Sequence, residues 1–129
     1  MTKKKANRSA WIRIFTDGAG KRPDGKGSGF AWLREDTGEQ HVQRADGLSN
    51  NVAEYQAVIS VIKTQPAGSQ IELLTDSLLV VSQLRGEYRI LDPKLAKLAN
   101  EVKTIAERKG LILKLTWIPR NENRAGGLL

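Results

Sequence analysis

Hydrophobic positions follow two periods along the chain. Trp11 to Thr16 (WIRIFT) is dense in β-branched and aromatic side chains and predicts a strand, closed by Asp17-Gly18-Ala19-Gly20. Lys21 to Gly29 reads as a Gly-rich turn, Phe30 to Arg34 as a second strand and Gln40 to Arg44 as a third, with Asp36-Thr37-Gly38-Glu39 as the hairpin connection. The period then changes. Val52, Tyr55, Val58, Ile59 and Ile62 fall at helical spacing within Asn51 to Thr64, and Asn50 or Asn51 is the expected N-cap. Gln70 to Thr75 (QIELLT) predicts a fourth strand, and Ser77 opens a helix to about Leu84 or Arg85 whose Leu78, Leu79, Val80 and Val81 read as buried. Asp92-Pro93 signals the start of a third helix, with Leu95, Leu98, Val102 and Ile105 on one face and Gly110 as its stop. Leu111 to Ile118 predicts the fifth strand, ended by Pro119, and Arg124 to Leu129 the start of a last helix.

This order predicts an α/β fold: a mixed five-stranded sheet, with a three-strand antiparallel meander plus two parallel strands, and helices on both faces. At 129 residues the chain accommodates one core. Residues 1–10 read as a flexible basic tail, with Lys3, Lys4 and Lys5, and residues 11–129 as the single domain. Trp11, Trp32 and Trp117 fall in predicted strands and are expected to pack in the core.

Charge changes the picture. A formal net charge of +7 favours a polyanionic partner such as nucleic acid. The absence of cysteine excludes disulfides, thiolate-bound zinc and a cysteine nucleophile. No apolar run is long enough to span a bilayer, and the first ten residues lack a signal-peptide core, so a cytoplasmic protein without membrane contact is expected. The stretch from Gly20 to Gly29, with Lys21, Arg22 and Lys26, lacks the Gly-Lys-Ser/Thr ending of a nucleotide-binding loop. No small-molecule cofactor is expected, and the chain is expected to be a monomer.

The candidate chemistry lies in three carboxylates. Asp17 and Asp76 each directly follow a predicted strand, and Glu54 sits in the first turn of the helix between them. Singly, each has a structural explanation as turn former, helix-dipole partner or cap. Together they fall at converging ends of elements, where α/β sites assemble. Three adjacent carboxylates require a cation, and oxygen-only donors favour Mg²⁺ or Mn²⁺. Two such ions could activate water and stabilise the leaving oxygen of a phosphodiester, as a nuclease with a single histidine requires.

Five segments then fall in family-like order. Phe15-Thr16-Asp17-Gly18-Ala19, Ser49-Asn50-Asn51-Val52-Ala53-Glu54-Tyr55, Leu74-Thr75-Asp76-Ser77, Gln83-Leu84-Arg85-Gly86-Glu87-Tyr88 and Trp117-Ile118-Pro119-Arg120-Asn121-Glu122-Asn123 resemble the motifs of type 1 ribonucleases H. The resemblance implies the ribonuclease H fold and metal-dependent endonucleolytic cleavage of the RNA strand of RNA/DNA hybrids, giving 5′-phosphate and 3′-hydroxyl ends. It implies that Asp17, Glu54 and Asp76 hold two metal ions. It further implies that Ser49, Asn50, Asn51 and Ser77 face the hybrid and that Gly18 permits close backbone approach. Short amide and hydroxyl side chains suit the wide minor groove of such a duplex.

The sequence departs from the family at three points. The fourth family carboxylate falls on Gly127 in a gap-free reading from Trp117, or on Gly126 when anchored on Ala125; Asn123 and Glu122 are the candidate substitutes. The one histidine, His41, lies on the third predicted strand and reads as structural. The stretch between Tyr88 and Asp92 leaves no room for the basic protrusion of some members; Arg85, Arg89, Lys94 and Lys97 are its candidate replacements. Four readings stay open: a ribonuclease H with reduced activity, a non-catalytic hybrid-binding module of the same fold, a small-molecule-binding α/β domain of flavodoxin type, against which the initial meander and the basic charge argue, and another nuclease of the same broad fold such as a resolvase.

Overall fold

In a computed structural model, which describes residues 11–24 and 27–129, five strands form one sheet in the order β3-β2-β1-β4-β5. The strands are β1 (Trp11–Ala19), β2 (Gly29–Arg34), β3 (Gln40–Arg44), β4 (Gln70–Thr75) and β5 (Ile112–Trp117). β1 to β3 form the expected antiparallel meander, and β4 and β5 extend it in parallel. The expected N-terminal tail lies outside the described residues, as does Lys26 in the Gly-rich turn.

Side chains alternate across the sheet because a strand repeats every second residue. Ile14, Trp32, Ile71, Leu73 and Leu115 point to one face, where helices α1 (Asn50–Thr64), α2 (Leu78–Leu84) and α3 (Pro93–Lys109) contribute Tyr55, Val58, Ile62, Val80, Val81, Leu95 and Val102 to the main core. Phe15, Leu33 and Leu74 point to the other face and meet Ile118, Ala125 and Leu128 in a smaller cluster. The helix expected over Arg124–Leu129 forms only a 3₁₀ turn at Gly126–Leu128, consistent with the poor helix propensity of two successive glycines. The second face is therefore covered by that turn, with the three longer helices all on the first.

Local cap chemistry sets the helix ends. Asp92 accepts from the Lys94 amide at 2.9 Å ahead of Pro93, and Gly110 ends α3 in the left-handed region at φ 67°. The cap of α1 is Ser49, not Asn50 or Asn51: its Oγ accepts from the Val52 amide at 3.2 Å, while the Asn50 side chain accepts from the Gly20 amide. At the far end of α1, Lys109 Nζ from α3 donates to the carbonyls of Ile62, Lys63 and Gln65 at 2.7, 3.0 and 2.6 Å. That ammonium satisfies carbonyls that a helix C-terminus leaves without partners.

Burial expectations are corrected at four residues. Trp32 is in the core, but Trp11 is half-buried and Trp117 is 47% exposed with its indole N–H on the Asp76 carbonyl at 3.3 Å. Leu78 and Leu79 are exposed while Val80 and Val81 are buried, because a seven-residue helix turns only one side to the sheet. His41 stacks on Trp32, with ring centroids 6.0 Å apart, and lies with Gln43 on the meander, as its structural reading expects.

Candidate active site

The parallel pairing of β1 with β4 sets Phe15 opposite Leu74, which brings the ends of these neighbouring strands together. Asp17 does not follow β1 but lies inside it. The strand continues to Ala19 because it remains paired with β2, Asp17 opposite Ala31. Asp76 stands one residue past β4. Glu54 is in the second turn of α1, not the first, since the helix already begins at Asn50.

Gly18 brings the helix to the strand. A Cβ there would lie 2.4 Å from the Ala53 carbonyl carbon and the Glu54 nitrogen, so only glycine lets α1 approach β1 this closely. The result is a cluster in which one carboxylate oxygen each of Asp17, Glu54 and Asp76 lie within 4.8 Å of one another.

Burial and mutual repulsion dominate the electrostatics of the cluster. Burial first, and then the Asp76 carboxylate, push Asp17 up to about 6 against the opposing pull of Arg120 and the Gly18 amide. Burial, then Asp17 and Asp76, push Glu54 up to about 8. Glu54 Oε1 is buried without a hydrogen-bond partner. A buried polar atom without a partner is costly, and an oxygen-preferring divalent cation would supply both the missing partner and the missing charge. The donor set fits such an ion.

The remaining sequence candidates take distinct places. Ser49 and Ser77 cap α1 and α2, with Oγ accepting the Val52 and Val80 amides, each at 3.2 Å. Ser49 and Asn50 are exposed and Asn51 is half-buried at the start of α1, on the end of the helix that carries Glu54. At the fourth corner, a Cβ on Gly126 would stand 3.8 Å from Asp17 Oδ2, an ordinary contact, whereas one on Gly127 would meet nothing within 4 Å. The geometry thus brings position 126, not 127, to the carboxylates. Neither substitute candidate supplies a ligand oxygen. Asn123 Oδ1 accepts from the Ala125 amide at 3.1 Å and its Nδ2 turns toward Asp76, while exposed Glu122 is not among the clustered acids.

Sequence reasoning gave Arg120 no role of its own. Arg120 Nη1 lies 3.5 Å from Asp76 Oδ2, with its side chain 88% exposed. The available signal was a cation immediately after the proline that ends β5.

A model of the RNase H family matches residues 9–119. The chain belongs to the RNase H family. It is similar to the Ribonuclease H of Polynucleobacter asymbioticus, at 42% identity over 67 residues, covering 51% of this chain and 44% of that protein. It is also similar to the Bifunctional protein Rv2228c of Mycobacterium tuberculosis, at 32% identity over 77 residues, 58% of this chain but 21% of that protein. The match thus spans about a fifth of one curated relative and under half of the other. The solved N-terminal RNase H domain of Rv2228c matches at TM-score 0.75 and 26% identity, over 92% of this chain and 95% of that one. LC11-RNase H1, solved in complex with an RNA/DNA hybrid, matches at TM-score 0.78 and 28% identity over 91% and 92% of the two chains. Among the described residues no helix is long and apolar enough to cross a membrane.

Proposed function

We propose that this RNase H domain, residues 11–129, hydrolyses the RNA strand of RNA/DNA hybrids, leaving 5′-phosphate and 3′-hydroxyl ends, and acts as a cytoplasmic monomer. The observation that carries the reading is the buried, partnerless Glu54 Oε1 within a cluster of three carboxylates. Asp17, Glu54 and Asp76 would hold Mg²⁺ or Mn²⁺, two ions when the hybrid is bound. Bound there, the ions would supply an activated water and charge stabilisation at the leaving oxygen. The chain's own groups bind and orient. Ser49, Asn50, Asn51 and Ser77 contact the hybrid backbone and its 2′-hydroxyls, and Gly18 keeps the backbone close.

Position 126 replaces a fourth carboxylate and leaves one metal position short of a ligand. Activity is reduced, and Mn²⁺, which tolerates irregular coordination, supports it better than Mg²⁺. The test is cleavage of a labelled hybrid in each metal, with Asp76→Asn as control. Cleavage of the RNA strand alone, faster in Mn²⁺ and lost in the variant, is the expected result. Gly126 favours one second reading, a domain that binds hybrids without cutting them; hybrid binding with no cleavage in either metal would establish it.

A further inference from the structure

Asn123 is buried at the junction of three parts of the site, with 7% of its surface exposed. Its Nδ2 donates to the Thr16 carbonyl at 2.9 Å, on the β1 backbone next to Asp17, and to Asp76 Oδ1 at 3.4 Å. Its Oδ1 accepts from the Ala125 amide, and its backbone carbonyl accepts from the Gly126 amide at 3.0 Å. These contacts fix which way the amide points. A carbonyl and a carboxylate on one side require a donor, and an amide N–H on the other requires an acceptor. Among short side chains only a carboxamide offers two donor hydrogens on one side and an acceptor on the other. An aspartate there would set like charge against Asp76 and leave the Thr16 carbonyl without its donor.

We propose that Asn123 is a positioning residue for the metal-binding carboxylate Asp76, and that the same side chain sets the C-terminal turn that places position 126 beside Asp17. The proposal rests on the reading of Asp76 as a metal ligand. A hydrogen bond to one oxygen of a ligating carboxylate fixes its plane, and groups in this role commonly govern metal affinity by tenfold or more. The donor to Asp76 thus acts on the ion without touching it, while the bonds to Thr16 and Ala125 act on the fold.

The test separates these two roles. Free Mn²⁺ is followed by electron paramagnetic resonance while the full-length wild type, Asn123→Ala, Asn123→Ser and Leu128→Ala are titrated well below their melting temperatures. Alanine removes every side-chain bond. Serine has one donor hydrogen where the amide has two, and the nearer Thr16 carbonyl takes it at the expense of Asp76, which keeps the test available should the alanine variant fail to fold. Leu128→Ala loosens the same turn through its packing and leaves the amide in place. Both Asn123 variants are expected to lose about tenfold in Mn²⁺ affinity, while Leu128→Ala lowers Tm and keeps wild-type affinity. Wild-type affinity in a folded Asn123→Ser protein, or an equal loss in Leu128→Ala, would overturn the proposal. A wild type that binds no Mn²⁺ would remove it together with the metal reading. A wild type that binds Mn²⁺ in an Asn123-dependent way but cuts no hybrid would reject catalysis alone.

Discussion

The two sides of the carboxylate cluster are built by different means. On one side, Asp17, Glu54 and Asp76 stand on paired strands and a helix packed over the main core, and their spacing is set by backbone contact at Gly18. On the other, the segment after β5 closes the site with two short 3₁₀ turns, one asparagine side chain and a five-residue apolar cluster that Leu128 supports. The first side has little freedom to lose a ligand. On the proposed reading, the second carries glycine at the position of a fourth ligand. Rigid, deeply buried scaffolding keeps functional groups in place, whereas a thin closing segment allows a group to be lost without disturbing the fold.

The largest expected effect tests the difference in scaffolding. Leu73→Ala, in a fully buried strand position of the main core, should cost about 2–5 kcal/mol and lower Tm steeply in thermal unfolding. Leu128→Ala, only half-buried on the thin side, should cost about 1 kcal/mol. Equal losses would show that the two sides carry the fold alike. Next in size is a gain. Gly126→Asp should raise the Mg²⁺-supported cleavage rate by about tenfold and shrink the advantage of Mn²⁺, because a side chain there begins with its Cβ 3.8 Å from Asp17 Oδ2. An unchanged metal ratio in steady-state assays would rule out position 126 as a ligand position.

The smallest effect concerns pH. Asp17 and Glu54 are raised in the folded protein to about 6 and about 8, above their ordinary carboxylate range. The folded state then holds protons that the unfolded state has released. Their stabilising contribution is complete below about pH 4 and is lost as pH rises through 6 and then 8. In the metal-free protein Tm should therefore fall across that window, and added Mg²⁺ should restore it at pH 8. Glu54→Gln should flatten the upper half of the decline. A Tm that rises with pH in chelator would contradict this account of the cluster.

Much of this architecture was legible because it is written locally. Gln40 to Arg44 and Gln70 to Thr75 form strands with the expected bounds, and Asp92-Pro93 and Gly110 bracket α3 through cap chemistry contained within a few residues. The three carboxylates were legible from their motifs, and parallel pairing of β1 with β4 brings them together. The rest depended on distant partners. Ser49, Asn50 and Asn51 are all good caps, and only the contact of Asn50 with Gly20 leaves Ser49 in that role. Periodicity in α2 did not reveal that Leu78 and Leu79 face outward, since so short a helix supports more than one apolar face. The side-chain orientation of Asn123 depends on Thr16, far away in sequence, and the choice of Gly126 over Gly127 depends on where a short turn sets each Cα. Neither is encoded in spacing along the chain.

The contrast between Gly18 and Gly126 also bears on descent. At position 18 every L side chain would strike the backbone of α1, so substitution there is closed to drift. At position 126 a side chain meets only an ordinary contact, and the neighbouring bonds of Asn123 hold the turn in either case. Exchange between glycine and a carboxylate at that corner is therefore open to a single substitution in either direction.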